Sequence, residues 1–196
     1  MSDGLSNLIL SLTPDNGSTI GNGAMMALLR EQVPGLPEMF RAARARGQCT
    51  SLDLGWDPSG LWDIAARCAV LPHVSVIFPN RSELEAVTGA SEIGPVLQLL
   101  HEMGAERVAL KLGGEGAVYA GPEGEARHPG YPVMVRDTTG AGDAFNAGFL
   151  REWLEGKAAE DCLALGNACG ALTAGALGGT GGLLSLSEAR DLMRRA

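Results

Sequence analysis

Residues 137–149, with the sequence DTTGAGDAFNAGF, constrain the fold more than any other part of the chain. They follow an apolar, extended segment at 131–135 and begin as a polar turn that contains Gly140 and Gly142. After Asp143 the apolar residues predict a buried helix. A glycine-rich turn that opens a helix leaves backbone N–H groups without intrahelical acceptors, and such groups bind anions. The stretch therefore predicts an anion site at a helix N-terminus.

Asp143 has two interpretations. A carboxylate beside an anion site is unfavourable unless it has a chemical task, and the obvious task is to accept a proton from an attacking hydroxyl. Alternatively, Asp143 is an acidic residue in the first turn of a helix, where the helix dipole stabilises it. The single residue does not decide between the two.

The complete string resembles the second signature of the ribokinase-like (PfkB) carbohydrate kinase family, Asp-Thr-x-Gly-Ala-Gly-Asp-x-Phe, without a mismatch. The resemblance implies that Asp143 is the catalytic base. It also implies that the amides of Gly140, Ala141, Gly142 and Asp143 form the anion hole for a phosphoryl group transferred from ATP. The implied acceptor is a hydroxyl of a small sugar or nucleoside, and the implied cofactors are ATP and Mg²⁺.

Asn80 and Glu83 follow a short apolar strand at 74–79. An Asn at the N-cap with a Glu three residues later is a capping box, in which each side chain satisfies a backbone amide of the other. The same pair also resembles the Asn-x-x-Glu motif of the kinase family, which implies that it helps to hold Mg²⁺ through water. Both interpretations can hold together, because a cap fixes its side chains in space.

Lys111, Gly113 and Gly116 lie in a glycine-rich turn between strands predicted at 108–112 and 117–119. Such glycines either let the backbone approach a ligand or simply form a tight turn. The turn falls where the family has its nucleotide-contacting Lys/Thr-x-Gly-x-x-Gly turn. The resemblance therefore implies that these three residues bind the phosphates or ribose of ATP.

Three further residues have interpretations that depend on the resemblance. Asn167 lies in an otherwise apolar helix and needs a hydrogen-bond partner; that partner is nearby backbone, or else Asn167 lines an adenine pocket as in the family. The resemblance also implies that Asp137 and Thr139, with the glycine-rich loop at 178–182, bind a monovalent cation such as K⁺ that orders the anion hole.

Alternating strands and helices between Cys49 and Tyr119 predict an α/β fold with a mostly parallel central sheet and helices on both faces, which is the ribokinase-like architecture. We expect a single domain over 1–196, with 45–196 as the nucleotide-binding and catalytic part and 1–35 as the remnant of a reduced substrate lid. Further strands are predicted at 7–12, 18–20 and 49–54. Helices are predicted at 25–32, 36–45, 61–66, 91–103, 144–154 and 158–177, and another begins at Ser185, where Glu188 completes a capping box. The helix at 36–45 has Leu36, Met39, Phe40 and Ala43 at helical spacing on its apolar side, and Gly47 ends it.

Composition excludes several classes of partner. A net charge of −8 and a pI near 4.9 argue against nucleic acid and anionic membranes. No apolar run reaches the length of a membrane span, and the first residues do not resemble a signal peptide. The four cysteines have no metal-ligand spacing, and we expect free, buried thiols in a cytoplasmic protein.

The resemblance is good over 45–196 and poor over 7–45, where we find no counterpart of the family's acceptor-binding segment. A parallel sheet without its first strands exposes an edge, so we expect a homo-oligomer, most simply a dimer. The alternative function is a non-catalytic nucleotide-binding or assembly protein derived from a sugar kinase. A dinucleotide-dependent oxidoreductase is disfavoured, because no Gly-x-Gly-x-x-Gly turn opens a helix after a strand.

Overall fold

The structure is a computed structural model that describes residues 19–22, 36–53, 69–89, 92–178 and 185–195. It divides into two compact units, residues 1–108 and 109–196, and each is described by itself. Several predictions lie outside the described residues: the strand at 7–12, the helices at 25–32 and 61–66, and most of the 1–35 lid remnant and of the 178–182 loop. The prediction of one domain over 1–196 stays a prediction.

Parallel strands form the centre of the first unit. They are β1 (Thr19–Asn22), β2 (Thr50–Asp53), β3 (Val76–Ile77) and the first residue of β4 (Val108–Lys111). The pairs β1–β2, β2–β3 and β3–β4 are all parallel, with Leu52 opposite Ile77 and Ile77 opposite Val108. The described core side chains of β2, β3 and β4 are fully buried, as expected for parallel strands covered on both faces.

Helix α1 (Leu36–Ala45) has the predicted bounds. It buries Phe40 and Ala43, whereas Met39, which was predicted to face the core, is 36% exposed. The predicted termination at Gly47 is confirmed: Gly47 has a positive φ, and its N–H donates to the Arg44 carbonyl. The Arg44 guanidinium donates to Ser75 Oγ and to Glu106, both at 2.8 Å, and so ties the helix to the segments before β3 and β4.

Two further α-helices and a short 3₁₀ helix (Leu71–His73) lie in the described part of the first unit. Helix α2 (Arg81–Thr88) follows β3, and α3 (Ile93–Glu102) precedes β4. The α3 helix accommodates Pro95 in its first turn, where a missing N–H breaks no intrahelical bond, and buries Val96, Leu97 and Leu100. The predicted β3 strand at 74–79 is shorter in the structure, although Ser75 and Phe78 still donate to carbonyls of β2.

The second unit contains an antiparallel hairpin. Strand β5 (Ala117–Gly121) lies beside β4 and pairs with β6 (Gly124–His128) in a register that places Tyr119 opposite Ala126. A 3₁₀ helix (Gly113–Glu115) connects β4 to β5. Only β5 is buried, so the hairpin has a core strand and an exposed partner.

Three helices pack behind this hairpin: α4 (Ala141–Leu154), α5 (Ala159–Ala174) and α6 (Leu186–Arg195). The aromatic rings of Tyr119 and Phe149 stack with centroids 6.1 Å apart, which joins β5 to α4. Helix α5 is buried along most of its length, and α6 covers it through Ala189. The predicted capping box at the start of α6 is confirmed, since Ser185 and Glu188 each accept from the amide of the other.

Helix α4 begins at Ala141, three residues before the predicted start at Ala144. The reason is the conformation of Gly140, which caps the helix with φ 76° and accepts the first helical hydrogen bond, from the Ala144 amide. A side chain at this position would strain the backbone. Gly142 and Asp143 therefore lie within the first turn of α4, directly after the Gly140 cap, and not in a loop ahead of the helix.

Candidate active site

The N-terminus of α4 positions the motif residues of the second unit. Ala141, Gly142 and Asp143 are the first three residues after the Gly140 cap, so their amides have no i−4 acceptor within the helix. The Ala141 amide donates instead to the Thr138 carbonyl at 3.1 Å. The Asp143 side chain is exposed. The structure thus joins an accessible carboxylate to the positive end of a helix dipole, which is suited to an anion whose reaction needs a base.

Lys111 is brought to this helix N-terminus from the end of β4. A Cβ built on Gly142 would lie 3.4 Å from Lys111 Nζ, so the glycine leaves room for the ammonium group. Lys111 Nζ also lies 3.4 Å from Oδ1 of Asn146, one turn further along α4. An ammonium group, helix amides and a space that a side chain would fill are features that fit the phosphates of a nucleotide.

Asn146 was missed by sequence reasoning. It is buried, with 6% of its surface exposed, on a helix whose other buried residues include Phe145, Phe149 and Leu150. The available signal was its polar character on the apolar side of the predicted helix, four residues after Gly142. A polar residue in that position needs a partner, but no sequence pattern points to Lys111 as that partner.

Asp137 connects the turn before α4 to the end of α5. Its carboxylate accepts from the Thr139 amide at 2.9 Å and from the Gly178 amide at 3.0 Å. Hydrogen bonds from the Thr139 amide and hydroxyl, and then from the Gly178 amide, lower the pKa of the Asp137 carboxyl below its ordinary value. Asp137, Thr139 and the first glycine of the predicted cation-binding loop are therefore together in the structure.

Gly116 has a structural reason to be glycine. Its φ is 86°, and a Cβ there would lie 1.9 Å from the His128 carbonyl oxygen and 2.5 Å from the Gly130 nitrogen. The chain's own backbone therefore occupies the space beside Gly116. By contrast, a Cβ on Gly113 would meet nothing within 4 Å, so the space beside Gly113 is open.

The Asn167 side chain is satisfied by nearby backbone, as the simpler of the two interpretations expected. Its Nδ2 donates to the Leu163 carbonyl one helical turn earlier, at 2.8 Å. Such a bond accounts for a buried amide in an apolar helix without a ligand. Its predicted place in an adenine pocket stays a prediction.

Asn80 and Glu83 lie in the first unit and form the predicted capping box at the start of α2. Asn80 Oδ1 accepts from the Glu83 amide, and Glu83 Oε2 accepts from the Asn80 amide, both at 2.9 Å. A further bond joins Asn80 Nδ2 to Glu83 Oε1 at 2.6 Å. Glu83 is only 4% exposed, so this network holds a buried carboxylate in one orientation. A fixed carboxylate suits the ordered waters around Mg²⁺, which keeps several waters when it binds through phosphates.

Two features of the described residues bear on other functions. In the parts of the chain that the structure describes, no cluster of three or more His, Cys, Asp or Glu side chains could ligate a metal ion. Among the helices within those parts, none is both long and apolar enough to cross a bilayer. Cys49, Cys162 and Cys169 are free thiols as predicted, although only Cys162 is fully buried.

Comparison with known proteins identifies the family. The model of the pfkB family carbohydrate kinases matches residues 32–185. An uncharacterised sugar kinase of Archaeoglobus fulgidus is 42% identical over 98 residues, which are 50% of this chain and 39% of that protein. The ribokinase of Arabidopsis thaliana is 30% identical over 167 residues, or 81% of this chain and 43% of the ribokinase. The chain belongs to the pfkB carbohydrate kinase family.

Solved structures confirm the fold class. A protein of Escherichia coli assigned as ribokinase II, solved in complex with ATP and Mg²⁺, superposes with a TM-score of 0.80 at 25% identity. The match covers 91% of this chain and 59% of that protein. The mostly parallel, ribokinase-like α/β architecture is thus confirmed, and the chain spans less than half the length of the two curated relatives named above.

Proposed function

We propose that the chain catalyses phosphoryl transfer from ATP to a hydroxyl group of a small sugar or nucleoside. The observation that carries this proposal is the joint placement of an exposed Asp143 carboxylate, the first amides of α4 and the Lys111 ammonium at one helix N-terminus. Family membership supports the reaction class, and the relatives named above include a ribokinase.

In the proposed reaction Asp143 accepts the proton of the acceptor hydroxyl, while the oxygen of that hydroxyl forms a bond to the γ-phosphorus. The bond from that phosphorus to the bridging oxygen breaks, and ADP leaves with the electron pair. The amides of Gly140, Ala141, Gly142 and Asp143 face the charge that develops on the transferred oxygens. Of these, the Ala141 amide must exchange its bond to the Thr138 carbonyl for the phosphoryl oxygen.

The remaining predicted ligands have supporting roles. Mg²⁺, when bound with ATP, neutralises the phosphates, and Asn80 and Glu83 hold its waters. Lys111 and Gly113 bind the phosphates or ribose, together with Gly116 through its backbone, and Asn167 borders the base. Asp137 and Thr139 bind a monovalent cation such as K⁺; the placement of both beside Gly178, the first residue of the glycine-rich loop, supports this role.

The test is ADP formation in a screen of sugars and nucleosides, run with the Asp143→Asn variant. Turnover should fall by at least about a thousandfold in the variant, since the base is lost, while the affinity for MgATP stays within about threefold. Asp161→Asn is the matched control, because Asp161 occupies the equivalent first-turn position of α5 and is also exposed. Full activity of Asp143→Asn would refute the assignment of the base.

A chain that binds MgATP but phosphorylates no acceptor in the panel would favour the alternative, a non-catalytic nucleotide-binding protein. The proposal also includes a dimer in the cytoplasm. Light scattering of the purified chain measures its mass in solution, and a monomeric mass at all concentrations would refute the dimer.

A further inference from the structure

The side chain of Asn146 faces Lys111 inside the second unit. Asn146 Oδ1 lies 3.4 Å from Lys111 Nζ, and Asn146 is buried on α4. An ammonium group only donates hydrogen bonds, so the amide oxygen is the atom that must face it. Burying an amide costs free energy unless its polar atoms are hydrogen-bonded. The contact therefore gives Asn146 a reason to be polar on the apolar side of the helix.

The same ammonium lies beside the N-terminus of α4, because a Cβ on Gly142 would come within 3.4 Å of Lys111 Nζ. A cation is unfavourable at the positive end of a helix dipole. The placement therefore suits an anion bound at this N-terminus, and the neutral Asn146 oxygen contacts the ammonium without cancelling its charge. At 3.4 Å the hydrogen bond is longer than usual.

We propose that Asn146 is a positioning residue that holds the Lys111 ammonium against the transferred phosphoryl group of ATP. This inference rests on the proposed function and deepens it, because it assigns the Lys111 ammonium to the γ-phosphate. It also means that α4 positions Lys111 through Asn146, in addition to supplying the amides of the anion hole. An amide suits this task better than a carboxylate. A neutral oxygen orients the ammonium and leaves its charge for the phosphate, whereas an Asp at position 146 would neutralise it.

The test is a double-mutant cycle with Asn146→Leu and Lys111→Met, in which calorimetry measures the affinities for MgATP and MgADP. Asn146→Leu should weaken MgATP binding about tenfold, the loss expected for a hydrogen bond to a charged group. MgADP binding should change by less than about threefold, because ADP lacks the transferred group. In the Lys111→Met background the second substitution should have no further effect, because Asn146 acts through the ammonium.

Asn146→Asp provides a second test with a side chain of nearly equal size, and it should also weaken MgATP binding about tenfold. Thr173→Val is the control, since it removes a buried polar group from α5 outside the proposed site and should leave the MgATP affinity unchanged. Additive losses of MgATP affinity in the cycle, or equal losses of affinity for MgATP and MgADP, would overturn this inference but not the proposed function. Absence of MgATP binding by the wild-type chain would overturn the proposed function as well.

Discussion

Two glycines at the α4–α5 interface allow stability and catalysis to be separated by matched substitutions. A Cβ on Gly170 would lie 3.2 Å from the carbonyl oxygen of Ala141 and 3.6 Å from Phe145 Cβ. A Cβ on Gly148 would lie 2.8 Å from the Leu165 carbonyl oxygen and 2.9 Å from Cys169 Sγ. An alanine at position 170 would therefore displace Ala141, the first residue of α4. An alanine at position 148 would instead displace residues in the middle of α4 and α5.

The expected changes in stability follow from these distances. Replacing a mid-helix glycine with alanine stabilises a helix by about 0.8–1 kcal/mol. At Gly170 the 3.2 Å contact requires only a small shift, so the free energy of unfolding should change by less than about 0.5 kcal/mol. At Gly148 the backbone oxygen is too close, and overpacking of about 1–3 kcal/mol should exceed the helix gain and leave a net loss of up to about 2 kcal/mol.

Turnover should show the opposite order, with the larger effect at Gly170. Gly170→Ala moves the first residue of α4 by a few tenths of an ångström, and a displacement of about 1 Å in an active site costs about a hundredfold. We therefore expect kcat to fall several-fold for Gly170→Ala and to stay unchanged for folded Gly148→Ala. Urea unfolding measures the change in stability, and the rate of ADP formation measures the change in kcat. Wild-type kcat in Gly170→Ala, or a lowered kcat without destabilisation in Gly148→Ala, would refute the reasoning.

Two further predictions concern the capping box and a buried thiol. Asn80→Ala should lower the free energy of unfolding by about 1–2 kcal/mol, because it removes the cap and one partner of the buried Glu83. It should also raise the Mg²⁺ concentration needed for half-maximal activity. Ser185→Ala at the exposed capping box of α6 is the control. Urea unfolding should detect the loss of this cap, and the dependence of activity on Mg²⁺ concentration should not change. Burial, with Glu152 and Asp161 nearby, raises the pKa of the Cys162 thiol from 9.0 to about 12. The Cys162 thiol of the unfolded chain therefore ionises at a lower pH than the same thiol in the folded protein, so the free energy of unfolding should fall as pH rises above about 9. The slope is at most about 1.4 kcal/mol per pH unit, and solvent screening reduces it to about half of that. A difference between wild-type and Cys162→Ala unfolding free energies that stays constant from pH 8 to 10.5 would contradict this assignment.

The local signals that predicted elements correctly were those in which short-range chemistry decides the structure. Helix α1 was predicted with its observed bounds, because its apolar spacing and the following Gly47 mark both the helix and its end. The capping boxes at Asn80 and Ser185 were predicted for the same reason, since each is complete within four residues.

The errors arose where the apolar pattern of the sequence does not decide the structure. Met39 has the right spacing for the core, but the packing leaves it at the rim of α1. The start of α4 was placed too late, because its first turn consists of small and acidic residues and lacks the apolar pattern on which the prediction relied. Asn146 was overlooked since its partner, Lys111, lies 35 positions away in the sequence.

Glycines within residues 137–149 are required for three different physical reasons. Gly140 adopts a positive φ that begins α4, Gly142 leaves space for the Lys111 ammonium, and Gly148 allows α4 to approach the Leu165 carbonyl. Each reason alone is common in proteins, which is why a single glycine predicts little. Together they require a left-handed helix cap, an adjacent cation and a close helix packing within one short segment. The complete string therefore predicts both the helix and the anion site at its start.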